Sequence, residues 1–102
     1  MDFSVIVPFF NRLEALAGCL GSLARLSYPA DRFEAILVDD GGAERADHLV
    51  SEYRDRLCVR LLRQEHAGPA AARNLGASHA SGAWLAFTDS DCKRARTSGP
   101  IR

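Results

Sequence analysis

Four short apolar segments are spread along the chain, separated by longer segments of mixed polarity. They are too short for typical helices, and the first is rich in β-branched residues, so each predicts a buried β-strand. Pro8 ends the first strand, and Gly41 and Gly42 follow the second. The predicted strands are 3–8, 33–38, 58–63 and 83–88, of which the third has the least regular alternation.

The segment after the first strand has the spacing of a helix with one apolar face. Asn11 can cap this helix, and Glu14, three residues later, can complete a capping box. Cys19 lies beside the apolar stripe and is interpreted as a small core residue. The stripe consists of Leu13, Leu16, Leu20 and Leu23.

Two more helices are predicted in the remaining segments. One spans about 44–54, and the other begins at Pro69, because proline lacks the N–H group that the first helical position leaves unpaired. Gly82 could close the latter helix. The inner face of the former helix consists of Ala46, Leu49, Val50 and Tyr53.

This order of elements predicts an α/β fold, a Rossmann-like and largely parallel sheet with helices on both faces. Ligands of such sheets bind beyond the carboxyl ends of the strands. Polar or turn-forming residues follow all four predicted strands there: Asn11 and Arg12, Asp39 and Asp40, His66 and Gly68, and Asp89 and Asp91.

Composition places the chain among ordinary globular proteins, with 47% apolar and 25% charged residues among 102. No apolar run is long enough to span a bilayer, and the first residues lack the features of a signal peptide, so we expect a cytoplasmic protein without a transmembrane segment. Cys19, Cys58 and Cys92 are an odd number at wide spacings, which favours reduced thiols over disulfides or a zinc site.

Charge is unevenly distributed although the formal net charge is zero. Four of the 13 basic residues lie in 93–102 without an acid among them, which leaves nine against 13 acidic residues in 1–92. A basic tail can contact nucleic acid or anionic lipid, but a solvated, poorly ordered terminus is more frequent. We therefore expect no nucleic-acid partner.

Two pairs of carboxylates are the main candidates for chemistry. Asp89 and Asp91 could hold a hard cation such as Mg²⁺ or Mn²⁺, although such a pair alone is commonly a solvated loop. Asp39 and Asp40 could accept hydrogen bonds from a nucleobase N–H or a ribose hydroxyl, or could cap a helix.

The predicted helix at Pro69 offers a second kind of site. Its free N–H groups and dipole favour an anion, to which Arg73 could add positive charge for a diphosphate; alternatively, Arg73 pairs with a surface acid. His66 and His79 have no identifiable partner and are interpreted as ordinary histidines.

Four quoted segments carry a resemblance to a known family. "SVIVPFFNR", "ILVDDGG", "RQEHAGPAAARNLG" and "GAWLAFTDSDC" resemble, in order and spacing, motifs of the nucleotide-sugar-binding half of family 2 glycosyltransferases, which have the GT-A fold. The resemblance covers about residues 3–92. It implies transfer of a sugar from a UDP-, GDP- or dTDP-sugar to an acceptor hydroxyl, with inversion and with Mn²⁺ or Mg²⁺.

The resemblance also implies roles for particular residues. Asp91 would be the metal ligand and Asp89 its partner, which also contacts the nucleotide sugar. Arg73 would lie near the nucleotide. The residues implied to hold the nucleoside are Pro8, Phe10, Asn11 and Asp40, with Asp39 beside them. The general base of the family lies well downstream of the Asp-x-Asp motif, so no catalytic residue is expected in this chain.

After Cys92 the chain departs from the family pattern, because "KRARTSGPIR" has no helical or strand period. Residues 1–92 would form a nucleotide-sugar-binding half that is truncated after the fourth strand, and 93–102 a basic tail that is disordered or aberrant. We expect such a half to be inactive alone, and to be poorly stable or to self-associate because it exposes a sheet edge and apolar surface.

Other functions remain open from the sequence. The chain could be a non-catalytic remnant that at most binds nucleotide. "LAFTDSDC" also resembles the first motif of haloacid dehalogenase-type phosphatases, with Asp89 as nucleophile and Asp91 as acid/base, but the further acids which that chemistry needs downstream are absent. A dinucleotide-binding Rossmann domain is disfavoured because "VPFFNR" replaces the glycine-rich turn.

Overall fold

The computed structural model describes residues 1–88 completely and the backbone of 95–100. Asp89 and Asp91, the predicted metal site, and Cys92 therefore lie outside the described residues. In chain order, the elements are β1 (Phe3–Phe9), α1 (Leu13–Ala24), β2 (Phe33–Asp39), α2 (Asp47–Tyr53), β3 (Cys58–Arg63), α3 (Pro69–Ser78), β4 (Trp84–Thr88) and β5 (Ala95–Pro100).

The strands described form one sheet in the order β3-β2-β1-β4-β5. β1 to β4 are mutually parallel where they pair, and β5 is antiparallel to β4. The chain moves outwards from β1 through β2 to β3 and then returns to the other side of β1 with β4. This reversal places a topological switch point between β1 and β4, where open α/β sheets bind ligands at the carboxyl ends of the strands.

Helices cover both faces of the sheet, as the sequence predicts. Successive side chains of a strand point to opposite faces, so Val5 and Val7 pack with Leu16 of α1, while Ile6 packs with Ala72 of α3. The predicted stripe of α1 is largely buried, and Cys19 is fully buried within it. The α/β fold with a largely parallel sheet is therefore confirmed.

The predicted cap of α1 is wrong. Asn11 and Arg12 both have left-handed backbone conformations, with φ of 57° and 58°, and α1 has no side-chain cap. This turn directs Asn11 Oδ1 away from α1, where it accepts a hydrogen bond from the Glu44 backbone N–H at 3.2 Å. Asn11 thus tethers the loop after β2, and the capping box with Glu14 does not form.

Gly82 does not close α3, which ends at Ser78. A Cβ atom at Gly82 would lie 2.4 Å from the backbone carbon of Phe3, so glycine is required for close approach to β1. The Gly82 N–H donates to Ser4 Oγ at 2.9 Å, and Ser4 Oγ donates to the buried Glu34 at 2.7 Å. This polar network positions the start of β4 beside β1.

The backbone of Ala95–Pro100 forms β5, although its sequence has no strand period. Pairing along the edge of β4 uses backbone groups, so a strand can form there without an alternating pattern of side chains. The division of the chain at Cys92 remains a prediction.

Candidate functional site

The groove that carries the predicted site lies at the carboxyl ends of β1 and β2. It has a volume of about 260 Å³, and Phe10, on its wall, is 46% exposed. Its lining contains four of the residues that the sequence predicts for the nucleotide, namely Pro8, Phe10, Asp40 and Arg73, together with Phe9, Arg12 and Pro69.

Asp40 is the acidic residue of this groove and is 4% exposed. Its Oδ1 accepts hydrogen bonds from Gln64 Nε2 at 2.8 Å and from the Ala67 N–H at 2.9 Å. Its Oδ2 accepts one from the Gly68 N–H at 3.1 Å. The carboxylate therefore joins the end of β2 to the loop that leads into α3, and it does not cap a helix.

The pKa of Asp40 reflects two opposing causes. Burial by itself would raise it, but the hydrogen bonds from Ala67, Gln64 and Gly68, with the charge of a protonated His66, hold the pKa below the ordinary value of 3.8. Asp40 is therefore a fixed negative charge in the groove at neutral pH.

Asp39 is turned towards the loop after β2. Its Oδ1 accepts a hydrogen bond from the Gly42 N–H at 3.0 Å, and its Oδ2 pairs with Arg63 at the end of β3. Arg63 also donates to the Gly42 carbonyl oxygen at 2.8 Å. The neighbouring carboxylates thus point to different partners, because successive residues of a strand face opposite sides of the sheet.

The sequence missed the role of His66, which was expected to have no partner. Its Nδ1 lies 3.0 Å from Asp40 Oδ2 and 3.1 Å from the Asp40 carbonyl oxygen. Its ring also lies against Phe10, with the ring centroids 4.5 Å apart. The only sequence signal was its position after β3. His79 also has partners, in Leu75 and Ser78 at the far end of α3.

Two absences apply to the described residues, which are 1–88 and the backbone of 95–100. No group of three histidine, cysteine or acidic side chains there is arranged to hold a metal ion. Among the same residues, no helix has the length and apolar character needed to cross a membrane.

The fold and the groove define this chain as a doubly wound α/β domain with a groove at the carboxyl ends of β1 and β2. The family model described as Glycosyl transferase family 2 matches residues 4–95, so the chain belongs to glycosyltransferase family 2. The resemblance noted from the sequence is thereby confirmed.

Individual relatives agree with this assignment. Glycosyltransferase AglE of Haloferax volcanii is 36% identical over 92 residues, which are 87% of this chain and 30% of AglE. TarS 1–349 of Staphylococcus aureus in complex with UDP superimposes with a TM-score of 0.83 and 35% identity, over 89% of this chain and 28% of that one.

A third relative was solved with a nucleotide sugar and a metal. Mannosyltransferase PcManGT of Pyrobaculum calidifontis, in complex with GDP-Man and Mn²⁺, gives a TM-score of 0.80 and 28% identity, over 88% of this chain and 27% of that one. The chain thus spans less than a third of the length of each of these three relatives.

Proposed function

We propose that this chain binds the sugar donor of a family 2 glycosyltransferase, which transfers a sugar from a nucleotide-diphosphate sugar to an acceptor hydroxyl with inversion. The observation that carries this proposal is the convergence of Pro8, Phe10, Asp40 and Arg73 on one groove at the carboxyl ends of β1 and β2. The relatives solved with UDP and with GDP-Man support a nucleotide sugar as the ligand.

The base and ribose would occupy the part of the groove between Phe10 and Asp40. The exposed ring of Phe10 offers an apolar face on which a planar base can stack. Asp40 is an acceptor for a base N–H or a ribose hydroxyl. The Gln64 amide is the side-chain donor to Asp40, and it would give way to the ligand more readily than the backbone N–H groups. Asn11 and Asp39 would act here by holding the surrounding loop.

The diphosphate would lie towards the positive part of the groove. Arg12, directly before α1, and Arg73, in α3, both line the groove. α3 begins after Gly68, and its unpaired N–H groups and dipole favour negative charge at that end. Two guanidinium groups and a helix terminus therefore oppose the charge of a diphosphate.

Asp91 and Asp89 would hold Mn²⁺ or Mg²⁺, since carboxylate oxygens are the ligands these hard cations take. The metal, when bound, supplies positive charge that stabilises the departing diphosphate. UDP-, GDP- and dTDP-sugars remain the candidate donors. A cytoplasmic location stays a prediction from the sequence.

Titration calorimetry with UDP and GDP in the presence of Mn²⁺ tests this proposal. We expect binding that weakens on addition of EDTA and that falls about tenfold or more in Arg73→Ala, because one charge-assisted contact is lost. Arg54→Ala is the matched control, since Arg54 is exposed at the end of α2 and does not line the groove. A folded protein that binds neither nucleotide contradicts the proposal.

A further inference from the structure

The turn between β1 and α1 holds two residues in an unfavourable backbone conformation. Asn11 and Arg12 have φ of 57° and 58°, and in the part of the chain that the structure describes they are the only residues other than glycine with positive φ. Asparagine adopts this left-handed region comparatively often, whereas the Cβ atom of most other residues crowds a backbone carbonyl oxygen there. Arg12 is therefore the strained residue of this turn.

Contacts on both sides hold the turn in place. The Arg12 carbonyl oxygen accepts a hydrogen bond from the Leu16 N–H at 3.2 Å, in the first turn of α1. Asn11 Oδ1 accepts one from the Glu44 N–H at 3.2 Å, in the loop after β2. A Cβ atom at Gly42 of that loop would lie 2.8 Å from the Asn11 nitrogen, so the loop packs directly against the turn. The strain persists because the surrounding structure fixes this conformation.

The side chain of Arg12 makes no compensating contact with the protein. With the described residues, its guanidinium forms neither an ion pair nor a hydrogen bond. Glu14 and Glu44 line a depression beside it, yet neither of these carboxylates pairs with it. The side chain also lines the groove that contains Asp40 and Arg73. Arg12 thus brings to the groove a positive charge that no described residue neutralises.

These observations fit a ligand that is not part of the protein. Glycine would adopt this turn without strain, since it has no Cβ atom. A strained residue whose side chain contacts no protein group is typical of a functional position. A guanidinium has five N–H donors in a planar fork that matches phosphate oxygens, and its charge is permanent. Because Arg12 precedes α1 and Arg73 lies in α3, the groove offers separate cations to two phosphate groups.

We infer that Arg12 selects a nucleoside diphosphate over a nucleoside monophosphate, and that the left-handed turn which places it lowers the stability of the protein. This inference rests on the proposed function, because the ligand occupies the same groove. Replacing Arg12 by glycine should therefore change ligand affinity and protein stability in opposite directions.

Titration calorimetry with UDP and UMP, and with GDP and GMP, tests the selectivity. The titrations are run at constant Mg²⁺ and at about pH 8, where terminal phosphates are fully ionised. Arg12→Ala removes the guanidinium and should weaken diphosphate binding about tenfold, while monophosphate binding changes less than about twofold. Arg12→Lys keeps the charge without the fork, so a smaller loss of about threefold is expected.

Thermal unfolding tests the effect of the turn on stability. Arg12→Gly should raise Tm by about 3–6 °C relative to the unsubstituted protein and to Arg12→Ala, because glycine adopts positive φ without strain. It should lose as much diphosphate affinity as Arg12→Ala does.

Arg54→Gly is the matched control. Arg54 is exposed, has a φ of −62° at the end of α2 and does not line the groove. This variant should lower Tm, because glycine gives the unfolded chain more freedom and relieves no strain at this φ. It should keep the preference of the unsubstituted protein for diphosphates.

Different results would overturn different parts of this account. An unchanged preference for diphosphates in Arg12→Ala, or an equal loss of affinity for both kinds of nucleotide, overturns the inference and leaves nucleotide binding intact. A Tm of Arg12→Gly no higher than that of Arg12→Ala overturns the effect of the turn on stability. Absence of diphosphate binding in the folded, unsubstituted protein overturns the proposed function and this inference with it.

Discussion

The Asp40 carboxylate accepts a hydrogen bond from the backbone N–H of Gly68, the residue directly before α3. This contact joins the end of β2 to a loop 28 residues later in the chain. Together with the bonds from Ala67 and Gln64, it makes this buried side chain a link between the end of β2 and the segment that leads into α3.

Asp40→Asn should destabilise the protein in a pH-dependent way. Because folding lowers the pKa of Asp40, its charge contributes stability that is complete above the unfolded-state value, near 3.8, and is lost as pH falls through the folded-state value. We expect a loss of about 1–3 kcal/mol in the free energy of unfolding at neutral pH, since the amide offers weaker acceptors to buried donors.

Urea unfolding at neutral pH and at a pH below the unfolded-state value of 3.8 measures this difference. Asp31→Asn, at an exposed carboxylate, is the control and should change stability little. An Asp40→Asn penalty that is the same at both pH values would contradict the role of the charge.

Arg63→Ala should loosen the loop after β2. Arg63 pairs with the buried Asp39 and also donates to the Gly42 carbonyl oxygen, so its removal leaves a buried carboxylate short of donors. We expect the free energy of unfolding to fall by about 1–3 kcal/mol. Solvent screens the partly exposed guanidinium, which favours the lower part of this range.

The control for Arg63 is Arg45→Ala, which removes an ion pair with Asp47 whose side chains are 68% and 60% exposed. This variant should lower the free energy of unfolding by less than about 1 kcal/mol. Chemical denaturation measures the free energy of unfolding of both variants. Equal losses would show that the Arg63 contacts stabilise the protein no more than an exposed ion pair does.

Gly76→Ala should destabilise the packing of α3 on the sheet. A Cβ atom there would lie 2.5 Å from Ile6 Cγ2 and 3.2 Å from Val38 Cγ2, both of which belong to buried residues of the sheet. We expect a loss of about 1–3 kcal/mol from overpacking. The control is Gly18→Ala in α1, where an added Cβ atom would have no atom within 4 Å. This variant should raise the free energy of unfolding by about 0.5–1 kcal/mol, because alanine favours the helix more than glycine does. Thermal unfolding of both variants should therefore show Tm shifts in opposite directions.

Phe10→Ser should weaken nucleotide binding with little effect on folding. Phe10 is 46% exposed, so little apolar area is lost from the core, whereas a stacking face worth about 1–3 kcal/mol per base is removed. Leu26→Ser changes an equally exposed apolar residue outside the groove and should leave the nucleotide Kd unchanged. An unaltered Kd in Phe10→Ser would place the base elsewhere.

Much of the fold could be predicted from local patterns. Strand β3 was predicted as 58–63 and is Cys58–Arg63, and α3 begins at Pro69 as expected. Both follow from properties of neighbouring residues, namely short apolar runs and the missing N–H of proline. The family relationship is likewise carried by motifs that can be read along the chain.

The direction of side chains at the strand ends could not be predicted in this way. Asn11 was expected to cap α1 and contacts Glu44 instead, and Gly82 approaches Phe3 instead of closing α3. His66 contacts Asp40, from which it is 26 residues away. Each of these contacts joins segments that are distant in sequence.

The sequence by itself therefore determined the α/β order of elements, the carboxyl-end placement of the polar residues and membership of glycosyltransferase family 2. The tertiary structure alone decided that Asp40 faces the groove while Asp39 pairs with Arg63, and that His66 supports Phe10. The reason is physical: periodicity and propensity act between near neighbours, whereas the partner of a side chain is fixed only when strands far apart in the chain pair side by side.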